Sequence, residues 1–247
     1  MAKDQLLIFD FDDTLVDTSD VYYRARKCFL QILKENSIDT DTAVKIFEEV
    51  ESSNIKLFGF SPDRYGRSML GTYDLIAKKN KIIKSEEDIK KINSCGRIVL
   101  EEYPELINGA CKLLRWASDN FTLALLTRGT YELQMKKINY VGISKYFRCI
   151  EVVKEKNRLS VQRLIDGLEM KPADTWVIGD SIKSDINPGI EADAKCILYF
   201  YTHHSYRWEQ EYTGIQAKGQ FYKATNLKEI KEILKSPKEF RMISCLT

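Results

Sequence analysis

The chain has 247 residues, 44% of them hydrophobic and 30% charged, with 38 Lys and Arg against 36 Asp and Glu for a formal net charge of +2. That is apolar material for a large core with a smaller insertion, and the near balance of interspersed charges excludes the electrostatic footprint of a nucleic-acid binder. No apolar run is long enough to span a bilayer, no leader pattern opens the chain and the six cysteines form no C-x-x-C pair, which sets the expectation of a reduced, cytoplasmic protein with no membrane partner.

The first element is LLIFDFDDTL, residues 6–15. Leu6 to Phe9 show no polar alternation, as in a parallel strand covered on both faces. Ligands of such sheets bind beyond the carboxyl ends of the strands, so Asp10 and Asp12 stand where chemistry happens. Two acids with one residue between them can divide labour, one attacking and the other moving protons. Residues 17–103 offer no convincing strand, and their spacing predicts helices around 21–33, 43–50, 64–77 and 89–100. Thr18, Ser19 and Asp20 are expected to cap the first of these helices, and the GFSP run at 59–62 to break the bundle with a loop.

Strand-like runs then alternate with helical spacing. FTLALLT (121–127), followed by Arg128 and Gly129, lies between helical patterns at 110–116 and 131–140. CIEVVKEKN (149–157) ends in Lys154 and Lys156, ahead of a helix at 159–168. TWVIGDSIKSD (175–185) ends in Gly179 and Asp180, with Asp185 opening a helix at 184–191. A strand at 196–200, an edge strand at 221–224 and a helix at 227–234 close the series. Residues 201–219 read as a loop bringing Trp208 back onto the core, and Asp193 as a left-handed residue after a helix. Alternation of this kind predicts an α/β fold, a doubly wound parallel sheet with right-handed crossovers.

As a set, DFDDT, LLTRG, Lys156 and GDSIKSD resemble the four motifs of the haloacid dehalogenase superfamily, in its phosphatase branch. The likeness covers residues 5–200. TRGTYELQMKKINYVGISKYF and WVIGDSIKSDINPGIEADA look especially like its small-molecule phosphatases. The resemblance implies a Rossmann-like core over residues 1–16 and 104–247 and an all-helical cap over 17–103. It implies that Asp10 attacks phosphorus, forming an aspartyl-phosphate that water hydrolyses, and that Asp12 protonates the leaving alkoxide and later takes a proton from water. Thr127, Arg128 and Lys156 would bind phosphate. Asp10, Asp12 (through its carbonyl) and Asp180 would hold Mg2+, with Thr14 and Asp185 in support. Lys154 is the alternative to Lys156, and apolar spacing at Val161, Leu164, Ile165 and Leu168 favours Lys156, because the family lysine stands just before that helix.

Two positions depart from the family pattern: Asn157 stands where proline often follows the lysine, and Arg128 where Asn or Lys is usual. The two histidines, His203 and His204, are adjacent, a poor spacing for sharing one ion, and read as surface or loop residues. Tyr22, Arg24, Phe60, Arg64 and Tyr65 are candidates for contacting the leaving group. The implied activity is magnesium-dependent hydrolysis of a small-molecule phosphate monoester. A phosphomutase of the same fold and a non-catalytic phosphate-binding module are the alternatives, and the oligomeric state is left open.

Overall fold

The computed structural model describes residues 3–59, 61, 63–200 and 215–244. In chain order its main elements are β1 (Leu6–Phe9), α1 (Thr18–Glu35), α2 (Thr40–Phe58), α3 (Arg64–Asn80), α4 (Glu86–Glu101), α5 (Ala110–Asn120), β2 (Thr122–Arg128), α6 (Tyr131–Tyr140), β3 (Cys149–Val153), α7 (Arg158–Gly167), β4 (Thr175–Gly179), α8 (Asn187–Glu191), β5 (Lys195–Tyr199), β6 (Tyr222–Ala224) and a C-terminal helix, Leu227–Lys235. The chain divides into two compact units, Met1–Ser19 with Pro104–Thr247, and Asp20–Tyr103.

The first unit is an α/β fold on a six-stranded, all-parallel sheet of order β3-β2-β1-β4-β5-β6. Both faces of the strands are covered, which is why their sequences run apolar without alternation. Leu7, Phe9, Leu123, Leu125, Trp176 and Ile178 join one core with α5 and the C-terminal helix. Leu6, Ile8, Ala124, Leu126 and Val177 join the other, with Val161, Leu164 and Ile165 of α7. The outgoing and returning connections of the chain touch within this unit, Asp17 N donating to Glu105 O and Ile107 N to Leu15 O, both at 2.9 Å.

Several local expectations change. Thr18 and Ser19 do not cap α1: Thr18 is already helical, and both side chains turn to the acidic loop after β1. Asn157 is the N-cap of α7, its side chain accepting from Ser160 N at 3.1 Å, which a proline could not do. The helix expected at 184–191 is split into a π-type turn over Ile182–Ile186 and the short α8, with Pro188 in the first turn of α8, where its missing N–H costs least. Asp193 has φ 58°, the left-handed conformation expected of it. His203, His204, Trp208, Phe60 and Cys245 lie outside the described residues.

The second unit is all-helical. Val21, Ala25, Phe29, Phe47, Tyr65, Met69, Tyr73, Ile76 and Ile92 are buried, most of them at spacings of three or four residues that give each helix one apolar stripe. Arg64 and Tyr65 are not available to a leaving group: Tyr65 stacks edge-on against Tyr22 and Phe47, and Arg64 is buried against Glu51. Arg24 is exposed and pairs with Asp20 and Glu102. The backbones of α3 and α4 meet at Gly66 and Gly96, where a side chain on Gly96 would collide with the Gly66 Cα. Cys28 and Cys95, 67 residues apart, form a disulfide, a correction to the expectation of reduced thiols.

Candidate active site

β1 lies between β2 and β4, and the crossovers leave it in opposite directions, which opens a crevice at the carboxyl ends of the three strands. Asp10 follows β1, Thr127 ends β2 and Asp180 follows β4. Asp10 is held by its backbone, N–H to Ile178 O at 2.8 Å, and its carboxylate accepts from Thr14 Oγ1 at 2.9 Å and from Lys156 Nζ. Lys156 Nζ also donates to Asp185 Oδ1 at 2.7 Å, and Asp185 Oδ2 accepts from Ser181 N at 3.0 Å. Asp10, Thr14, Lys156 and Asp185 thus form one buried chain of contacts, whereas Lys154 is exposed. Gly179 makes room for it: any side chain there would occupy the space of the Asp185 carboxylate.

Asp12 faces a different set. Thr18 Oγ1 donates to its Oδ1 at 2.5 Å, Gln134 Nε2 to its Oδ2 at 2.7 Å, and Lys137 Nζ pairs with Oδ1. Gln134 Nε2 also reaches Thr127 Oγ1 at 2.5 Å. The third acid of the loop, Asp13, adopts φ 58° and ties the start of α1 by accepting from Ser19 N at 2.7 Å and Ser19 Oγ at 2.8 Å. Gln134 and Lys137 are absent from the sequence reading. Their signal is their spacing on α6, three apart, which turns two polar side chains to one face, where both are buried.

The two acids are separated electrostatically. Burial pushes the Asp10 carboxyl from its ordinary 3.8 to about 7, Lys156 opposing and Asp185 adding to the rise. Burial acts on Asp12 in the same sense but is outweighed by the Lys137 ammonium and by hydrogen bonds from Lys137, Thr18 and Gln134, so that this carboxyl lies below its ordinary value. Lys156 moves upward: burial disfavours its charge, and Asp10 with Asp185 overcomes that.

Asp10, Asp180 and Asp185 each bring a carboxylate oxygen within 4.8 Å of the others. Three hard oxygen donors fit a hard divalent cation such as magnesium and offer nothing to a soft one. The Asp12 carboxylate is committed to α6 and Thr18 and does not belong to this group. Arg128, at the end of β2, donates from Nη1 to Ser184 Oγ at 3.3 Å.

Residues 5–193 match the family model of haloacid dehalogenase-like hydrolases. The chain is 25% identical over 213 residues to a glyceraldehyde 3-phosphate phosphatase of Pyrococcus furiosus, covering 81% of this chain and 82% of that protein. Among solved structures it is similar to a haloacid dehalogenase-like family hydrolase from Xanthomonas campestris (TM-score 0.74, 22% identity, 96% of each chain covered). It is also similar to the HAD-hydrolase YfnB from Bacillus subtilis, a structure bound to magnesium (TM-score 0.64, 19% identity, 94% of this chain and 99% of that one).

Proposed function

The chain belongs to the haloacid dehalogenase-like hydrolases, and from that premise we propose that it is a magnesium-dependent phosphatase acting on a small-molecule phosphate monoester. The observation that carries this reading is the pair of carboxylates two residues apart with opposite surroundings: Asp10 in a buried acidic cluster with one lysine, Asp12 turned to the donors of α6. The phosphatase relative from Pyrococcus furiosus and the magnesium in the Bacillus subtilis structure support it.

In this reading an Asp10 carboxylate oxygen attacks phosphorus, a P–O bond to Asp10 forms, and the ester P–O bond breaks. Asp12, ionised in the free protein, first takes up a proton that arrives with the monoanionic phosphate ester and then gives it to the departing alkoxide. Water then attacks the aspartyl-phosphate, Asp12 takes a proton from it, and inorganic phosphate leaves with Asp10 restored. Lys156 and Thr127 hold phosphoryl oxygens, and Arg128 lies beside them on the β2 edge. Asp10, Asp180 and the Asp12 carbonyl would hold the ion, with Asp185 keeping Lys156 in place. Magnesium bound there supplies positive charge that favours the ionised nucleophile and offsets charge on the transferring group. Residues 17–103 act as a cap that excludes water and chooses the leaving group.

The test is release of inorganic phosphate from p-nitrophenyl phosphate. Wild type turns over with magnesium and loses turnover in excess EDTA, and Asp10→Asn is inactive while melting cooperatively. Wild-type turnover by Asp10→Asn would overturn the assigned nucleophile.

A further inference from the structure

We propose that Gln134 is a positioning residue that fixes the Thr127 hydroxyl as a hydrogen-bond donor toward the phosphoryl group, an assignment that rests on the phosphatase reading above. Gln134 is 2% exposed and makes contacts at both ends of its amide. Oε1 accepts from Lys137 Nζ at 3.0 Å, while Nε2 donates to Asp12 Oδ2 at 2.7 Å and to Thr127 Oγ1 at 2.5 Å.

The orientation of that amide follows from chemistry. A lysine ammonium can only donate and an ionised carboxylate can only accept. Lys137 therefore demands the amide oxygen and Asp12 demands the amide nitrogen, so Thr127 Oγ1 faces an N–H. The Thr127 oxygen is used as an acceptor, and the hydroxyl proton has to point elsewhere. Thr127 is fully buried, and no described residue accepts that proton. A phosphoryl oxygen beyond the end of β2 supplies the missing acceptor. Without Gln134 the hydroxyl is a free rotor that can present a lone pair to an anion instead, which repels it.

Gly129 gives the arrangement a second support. A Cβ at that position would lie 3.0 Å from Gln134 Cγ and 3.2 Å from Cδ. The turn after β2 thus leaves space for this side chain to lie back onto Thr127.

The experiment is a double-mutant cycle on the full chain, read by calorimetric titration of inorganic phosphate in the presence of magnesium. Gln134→Met is expected to weaken phosphate binding about tenfold in the wild-type background, the worth of one hydrogen bond to a charged group. In the Thr127→Val background the same substitution should cost less than about twofold, because the hydroxyl it acts through is gone. A merely structural role would give equal losses in both backgrounds; that result overturns the proposal, as does absence of loss in the single variant or of phosphate binding by wild type. If Gln134→Met melts early, Gln134→Asn, which keeps the amide but shortens its reach, takes its place in the cycle with the same expected result. Ester hydrolysis by wild type is measured separately: a protein that binds phosphate without releasing it from esters overturns the phosphatase reading, and the cycle still decides the role of Gln134.

Discussion

The residue that most repays attention is Asp10, because its carboxyl titrates near neutrality in the ion-free protein. Its folded-state value of about 7 lies above the ordinary 3.8. The folded state therefore binds the proton more tightly, and the stability this contributes is complete below about pH 4 and is lost as pH rises through 7. Asp10→Asn removes that loss. With divalent ions chelated, the variant should melt above wild type at pH 8, by a smaller margin at pH 5 and close to it at pH 3.5, and a variant that melts lower at pH 8 would contradict the burial argument. Lys156 gives the complementary test. Its ammonium joins Asp10 to Asp185, so Lys156→Met leaves two buried carboxylates without their cation. The expected outcome is destabilisation of about 3–5 kcal/mol near neutral pH, measured by urea unfolding, unless added magnesium takes up the charge. Both residues were legible from motif order. Gln134 and Lys137 were not, because a glutamine and a lysine on a polar helix look like solvated side chains until the helix is laid against the sheet.

At the scale of elements, the uninterrupted apolar runs identified the strands because a parallel sheet buried on both faces leaves no polar positions to alternate. Helix starts were less legible. Thr18 and Ser19 have the chemistry of caps, yet the acidic loop after β1 offers them stronger partners in Asp12 and Asp13. The split at 182–191 escaped because a π-type turn has no periodic signature, and it occurs where Asp185 must reach back beneath Gly179. In the helical unit the contact of α3 with α4 is set by Gly66 and Gly96, a pair 30 positions apart that reads in sequence only as two weak points in helices. Gly96→Ala should separate these backbones and cost about 1–3 kcal/mol in chemical unfolding despite the better helix propensity of alanine. A neutral or stabilising result would mean that the two helices can slide apart freely.

For the whole molecule, the helical unit Asp20–Tyr103 coincides with a long interval without strand signals, whereas the disulfide inside it has no local sign in the sequence, since its two cysteines lie 67 residues apart. Closing a loop of that length removes about 4 kcal/mol of unfolded-chain entropy in the simple model. Reduction with dithiothreitol should therefore lower the melting temperature of helical signal, and the Cys28→Ser/Cys95→Ser double variant should reproduce the shift and no longer respond to the reductant. No helix among the described residues is long and apolar enough to cross a membrane. The contacts of Asp17 with Glu105 and of Leu15 with Ile107 carry a different consequence. They place the departure and return points of an 84-residue excursion side by side on the sheet-bearing unit. A gene segment of almost any length can be exchanged between such neighbouring anchor points without redirecting the strands around them, so this architecture is permissive to recombination at one locus while its catalytic framework stays unaltered.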